Sequence, residues 1–289
     1  MLARYFPILS WIKTYDRRTL IRDLFAGASL GIMLVPQGMA YAMIAGLPPI
    51  YGLYAALVPQ LVYAVTGTSR QLAVGPVAMD SLLVAAGIGA LHLASLDDYI
   101  TAVLFLTLVG GGVQVLLGIF RMGFFVNFLS KPVISGFTSA AAILIGLGQL
   151  KHILGTQFAQ SSKIHELVQN IFNSLSYANT YALIVGLAAI AMILLVGKVG
   201  KKLPIALFIV ILGILAVTFF GLENKGVPLV GVIPEGLPMF QFPNVKLIGL
   251  GEILPLAITV ALYGFMEAIS IAKTLEERHP EYELDVNQE

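Results

Sequence analysis

Apolar residues in this chain run in long blocks with little alternation. Eight blocks cover residues 23–46, 50–66, 72–91, 99–119, 122–150, 180–197, 203–221 and 249–273. Blocks of this length, almost free of charge, predict membrane-crossing helices rather than half-buried strands or surface helices. The second is short. The fifth is long and carries Lys131-Pro132 and Gly136, so it is expected to bend or split into a short lead piece and a main span. Residues 1–22 read as a basic amphipathic lead-in, without the apolar run and small-residue cleavage site of a signal peptide. Residues 222–248 are rich in Gly and Pro and read as an extended outer loop, and 275–289 form a polar tail.

The third block is unlike the others. It opens at Gln71–Leu72 and is interrupted at once by Gly75-Pro76. Helical pattern resumes at Val77 and fades near Leu91, about 14 residues or roughly 21 Å. A bilayer core is about 30 Å thick. This helix is therefore expected to start inside the membrane, with Leu72-Ala73-Val74 extended before it and Pro76 in its first turn. The free N–H groups of Val77, Ala78 and Met79 would then face a buried spot of partial positive charge, a ready site for an anion. Backbone of this kind persists at membrane depth only where protein buries it or it lines a cavity.

Composition agrees with the blocks. The chain is 58% hydrophobic and 11% charged, against about 25% charged for soluble domains. The net charge of +1 points to no partner, and nothing in the sequence suggests nucleic-acid binding. The absence of cysteine excludes disulfides and thiol chemistry. With the N-terminus in the cytoplasm and eight alternating passes, 13 Lys and Arg fall inside and four (Lys151, Lys163, Lys225, Lys246) outside. That split obeys the positive-inside rule and puts both termini in the cytoplasm.

Few polar residues lie within the blocks. In the first, Gly27, Ala28 and Gly31 offer a smooth face for another helix, and Pro36 and Gly38 loosen the helix around Gln37. Gln37 can donate to a substrate oxygen, with Tyr41 one turn along on the same face. Asp80 lies one turn into the third-block helix. A carboxylate there would repel a bound anion, so Asp80 is read as a supporting residue behind the site. Glu267 stands about 15 residues into the last block, with apolar neighbours and no second carboxylate evident beside it. An acid so placed is suited to reversible protonation or to holding a coupling cation. Lys273, six residues on, is poorly spaced to pair with it. Gln114, Asn127 and Gln149 are assigned to ordinary helix contacts, and Gly110 to Gly112 to close helix packing. His92, His152, His165 and His279 share no ligand spacing, so neither a metal nor a cofactor is expected. No nucleophile–base pair or nucleotide motif points to an enzyme.

The stretch PQGMAYAMIAGLPPIYGLYAALVPQLVYAVTGTSRQLAVGPVA resembles the signature region of the SulP sulfate permeases. KPVISGFTSAAAILIGLGQL and FMEAISIAKTLEERHPEYELDVNQE extend the resemblance from about Asp23 to the last residue. It implies an all-α polytopic fold, the first half of a 7+7 inverted-repeat transporter. Residues 23–121 would be core segments one to four, 122–221 gate segments five to seven, and 249–274 core segment eight. It places Gln37, Tyr41, Val77 and Ala78 at the substrate and Glu267 at the coupling ion; Gly75, at the break itself, is read as a substrate-binding residue beside them. The chain stops where a ninth segment would begin, so an N-terminal portion is expected, without the tenth segment or the cytoplasmic STAS domain.

The function expected is proton-coupled symport of a small oxyanion, sulfate first, by alternating access. The partners would be the anion, H+ or Na+, membrane lipid and, at full length, a second copy. The alternatives are sodium-coupled bicarbonate or dicarboxylate transport, a passive anion channel, or a nucleobase permease of the same fold. In a bacterium the location would be the inner membrane.

Overall fold

The computed structural model of the chain describes residues 5–123, 131–156, 158, 164–199, 205–231, 233–237, 242–243, 249–278 and 284–289. Among these the regular structure is helical, with no strand. The lead-in forms a short helix, α1 (Ile8–Trp11), and a 3-10 turn over Ile12–Thr14. The first block is α2 (Arg17–Ile44), which starts six residues before the block because Asp16 caps it, accepting from the Thr19 N–H at 2.8 Å. Hydrogen bonding by Thr19 holds the Asp16 carboxyl below its ordinary range.

Next come α3 (Pro49–Thr66), with Pro49 in its first turn, and α4 (Ala78–Gly89). The helix α5 (Leu96–Ile119) is capped by Ser95, whose oxygen accepts from the Asp98 N–H at 3.1 Å. The main part of the fifth block is α6 (Lys131–Leu154), while residues 124–130 of its lead piece, and with them Asn127, lie outside the described residues. An unanticipated amphipathic helix follows, α7 (Ile164–Ser174), which buries Leu167, Ile171 and Ser174 at helical spacing. After it come α8 (Thr180–Val199), α9 (Ile205–Phe220) and α10 (Leu250–Arg278). Among the described residues, four helices are long and apolar enough to cross a membrane: α2, α3, α5 and α10. The α7 segment and α8 join at a bend of 119°, and α4 is apolar but shorter.

The chain divides into two compact units. The first holds Met1–Leu24, Gln37–Ser135 and Glu235–Glu289, and the second holds Phe25–Pro36 and Gly136–Pro234. In the first, α4, α5 and α10 share a core of Ile88, Ala102, Val103, Phe105, Leu106, Ile253 and Ala257. The buried stripe of α10 continues as Ala261, Phe265, Ile269 and Ala272, a run of nearly constant four-residue steps. Small residues let these backbones approach. An added Cβ at Gly87 would stand 2.3 Å from Leu256, and one at Gly110 would stand 3.7 Å from the Ala257 carbonyl oxygen. The tightest contact joins α2 to α3: a Cβ at Gly52 would fall 2.0 Å from the Gly38 carbonyl oxygen. At the turn between these helices, Gly46 takes a φ of +78°, and the Tyr99 hydroxyl donates to the Ala45 carbonyl at 2.7 Å.

Among the described residues, the glycines expected to form the smooth face of the first block meet no other helix. Gly27 and Gly31 have nothing within 4 Å of an added Cβ, and Gly111 and Gly112 are equally open. In the second unit, Leu154, Leu167 and Ile171 cluster with Leu147, Leu150 and Leu183. Asn179 organises the neighbouring turn. Its side-chain oxygen accepts from the Tyr181 and Ala182 amides at 2.9 and 3.1 Å, and its side-chain N–H donates to the Lys225 carbonyl at 2.8 Å.

This packing sets one test. Gly52→Ala should destabilise the protein by about 1–3 kcal/mol, because neither backbone can yield to the added methyl group. Gly31→Ala should be neutral or mildly stabilising, since the methyl enters open space and alanine suits a helix better. Thermal melts of the two variants in detergent, followed by fluorescence-detected size exclusion, check both outcomes.

Candidate functional site

The site starts from the broken third block. No helix covers 67–77, and α4 begins at Ala78, one residue later than the periodicity suggests. Val77 takes extended backbone (φ −123°, ψ 144°), which suits a β-branched residue, and becomes the cap. Pro76 therefore lies ahead of the helix rather than in its first turn. Valine has no oxygen to cap with, and no side-chain cap bond is made. The first bond back to the cap is donated by the Ser81 N–H to the Val77 carbonyl at 3.1 Å. The N–H groups of Ala78, Met79 and Asp80 come before any acceptor four residues back within the helix. They carry the positive end of its dipole. The helix has 12 residues, about 18 Å, against a hydrocarbon core of about 30 Å.

The broken segment lies against α2. A Cβ on Gly38 would stand 3.6 Å from Pro76 Cγ and 3.0 Å from the Gly52 carbonyl oxygen. Gly38 is thus held between the Pro76 ring and α3, and Gln37 is its chain neighbour. The Gln37 amide donates to the Tyr41 hydroxyl at 3.1 Å, so the two polar groups of this span lie together on one face. Gly75 and Val77 flank Pro76 and are half-buried.

The second half of the site is a pair of carboxylates. Asp80 Oδ2 of α4 lies against Gly264 of α10, on the turn before Glu267, which brings the two carboxylates to the same region of the unit. This corrects the expectation that no second carboxylate stands beside Glu267. Each acid has one fully buried oxygen with no hydrogen-bond partner among the described residues, Oδ1 of Asp80 and Oε2 of Glu267. Gln114 of α5 lies at the same place. Its amide donates to the Ala261 carbonyl at 3.2 Å, linking α5 to α10. A Cβ on Gly264 would stand 3.4 Å from that amide and 3.7 Å from Asp80 Oδ2, so the bare glycine makes room for both.

Sequence reasoning missed this grouping. Asp80 and Glu267 lie far apart in the chain, and no local spacing connects them. The signal that was available is cost: a polar side chain deep in an apolar block needs a partner on another helix. Applied to Asp80 and Gln114 as well as to Glu267, that rule would have paired them. Among the described residues, no group of three or more His, Cys, Asp or Glu side chains could hold a metal ion.

Residues 20–289 match the model of the Sulfate permease family. The chain is 39% identical over 293 residues to sulfate transporter 4.1, chloroplastic, of Arabidopsis thaliana, covering 98% of this chain and 42% of that protein. It is 33% identical to solute carrier family 26 member 6 of Homo sapiens, covering all of this chain and 41% of that protein. The chain thus spans less than half the length of these curated relatives. Among solved structures, it superposes on SLC26A9 with a TM-score of 0.89 at 26% identity, over 99% of this chain and 48% of that one. It shares its fold with the transmembrane domain of the cyanobacterial bicarbonate transporter BicA at a TM-score of 0.80 and 24% identity, over 95% of this chain and 70% of that one.

The carboxylate pair gives a measurable expectation. In a double-mutant cycle of Asp80→Asn and Glu267→Gln, the change in unfolding free energy should depart from additivity by about 0.5–3 kcal/mol. Additive effects would mean that the two acids do not act on one another.

Proposed function

The chain belongs to the sulfate permease family, and from that premise we propose that it supplies the first half of a secondary anion transporter. Family membership and its long apolar helices make it an integral membrane protein, and the relatives it matches are transporters rather than enzymes. The substrate we assign is a small inorganic oxyanion, sulfate first, in keeping with the transport named for the plant relatives. The observation that carries the reading is the uncapped start of α4 at Val77–Ala78. A tetrahedral dianion can accept from several donors at once, and a helix N-terminus presents them without a full counter-charge to desolvate. In our reading, the amides at Val77 and Ala78 bind the anion, Gly75 lets the backbone approach it, and Gln37 and Tyr41 line the pocket.

Coupling is assigned to Glu267, with Asp80 beside it. Two neighbouring carboxylates with buried, unpaired oxygens carry less electrostatic cost when a proton lies between them. We therefore favour proton symport. A sodium ion would satisfy the same oxygens and is the second reading. We further assign alternating access to motion of the core segments 23–121 and 249–274 past the gate segments 122–221, with a homodimer as the full-length assembly.

Three variants of the full-length protein in proteoliposomes test the proposal. Pro is tolerated at a first helical position after extended backbone, so Ala78→Pro should fold yet lose one amide donor. Sulfate affinity should fall about tenfold, the value of one hydrogen bond to a charged group. Gln37→Ala should weaken binding in the same direction. Unchanged affinity in Ala78→Pro would remove α4 from the anion site. Glu267→Gln should abolish uptake driven by a pH gradient while leaving sulfate exchange. If the wild type responds to a sodium gradient instead of a pH gradient, the second reading replaces the first.

A further inference from the structure

Residues 284–289 are bonded to the end of α3. We propose that the Glu289 carboxylate is a latch that positions the broken segment leading into α4. One oxygen of Glu289 accepts from the Thr68 N–H at 2.8 Å, from the Ser69 N–H at 3.1 Å and from the Thr68 hydroxyl. The other accepts from the Tyr63 hydroxyl at 2.5 Å. Four donors on one carboxylate, two of them consecutive backbone amides, make a complete receptor for that group.

The receptor depends on glycines. A Cβ at Gly67 would fall 2.5 Å from Tyr63 Cζ, so the tyrosine ring lies across the bare glycine and brings its hydroxyl to Glu289. A Cβ at Gly118 would stand 2.8 Å from the Asn287 carbonyl oxygen, and one at Gly123 would stand 2.8 Å from Val286 Cγ1. The rest of the tail adds bonds at the same end. Gln288 donates to the Thr66 carbonyl at 2.7 Å, the Asp285 N–H donates to the Thr68 hydroxyl at 3.2 Å, and the Gly123 N–H donates to the Asn287 side chain at 3.2 Å. With the Leu284 N–H donating to the Glu276 side chain of α10 at 2.7 Å, the exits of α3, α5 and α10 are tied together within the first unit.

The tie continues toward the anion site. The Ser69 hydroxyl oxygen accepts from the Leu72 N–H at 3.3 Å, and Leu72 opens the extended run that ends at Val77. This run has no helix or sheet to hold it, so its register depends on such end contacts. Glu289 touches no substrate in this scheme and acts through Thr68, Ser69 and Leu72. Its influence on sulfate rests on the function proposed above, whereas its hold on the backbone does not.

Hydrogen exchange on the full-length protein in lipid separates the two. Glu289→Ala should speed exchange of the amides in 66–77 by about tenfold or more, because hydrogen bonds to a charged group are lost. The amides at the middle of α5 should keep their wild-type rates. Tyr63→Phe, which removes one donor and leaves the ring over Gly67, should shift 66–77 in the same direction by less. In sulfate uptake, Glu289→Ala should raise the half-saturation concentration more than it lowers the maximal rate, with partial recovery in Glu289→Gln. Exchange in 66–77 within twofold of wild type for both Glu289→Ala and Tyr63→Phe would overturn the latch. Altered exchange with no sulfate transport by the wild type would leave the latch standing and overturn the transport reading instead.

Discussion

A backbone amide in hydrocarbon must find an acceptor, and this constraint shapes the first unit more than any other. Most of the chain meets it by forming helices. The stretch 67–77 does not, and α4 begins without a capping side chain. Such a start is tolerable only with protein around it. The fold supplies that protein by bringing α2 and α3 into backbone contact at Gly38 and Gly52 and setting the Pro76 ring against them. On the far side, α5 and α10 enclose the length of α4 through Ile88, Leu106 and Ile253.

Much of this was legible in the order of residues. The break at Gly75-Pro76, the shortness of the helix after it and the shared face of Gln37 and Tyr41 all follow from local periods and from proline chemistry. Apolar content alone starts the first span at residue 23, whereas the capping Asp16 starts α2 six residues earlier. The helix α7 was overlooked for a related reason. Its apolar residues are spaced along one face instead of filling a block, so a search for blocks passes over it.

What the sequence hid is long-range. Nothing near Asp80 announces that Glu267 lies beside it, and nothing near Glu289 announces Thr68. Both pairings join residues about two hundred positions apart: the packing of α4 against α10 brings the first together, and the fold of residues 284–289 onto the exit of α3 makes the second. The glycine roles were reversed for the same reason. Gly27 and Gly31 have the familiar spacing of a packing motif but meet nothing within 4 Å among the described residues, while Gly38 and Gly52, separated by a loop, are in backbone contact.

The end of α5 illustrates a different compromise. Arg121 adopts a left-handed backbone with a φ of +55°, directly after the Phe120 cap, at a position where helices usually place glycine. Glycine would relax that turn, but it would also remove a cation from the helix end, where positive charge meets the negative pole of the α5 dipole. The chain keeps the charge and bears the cost of the left-handed backbone.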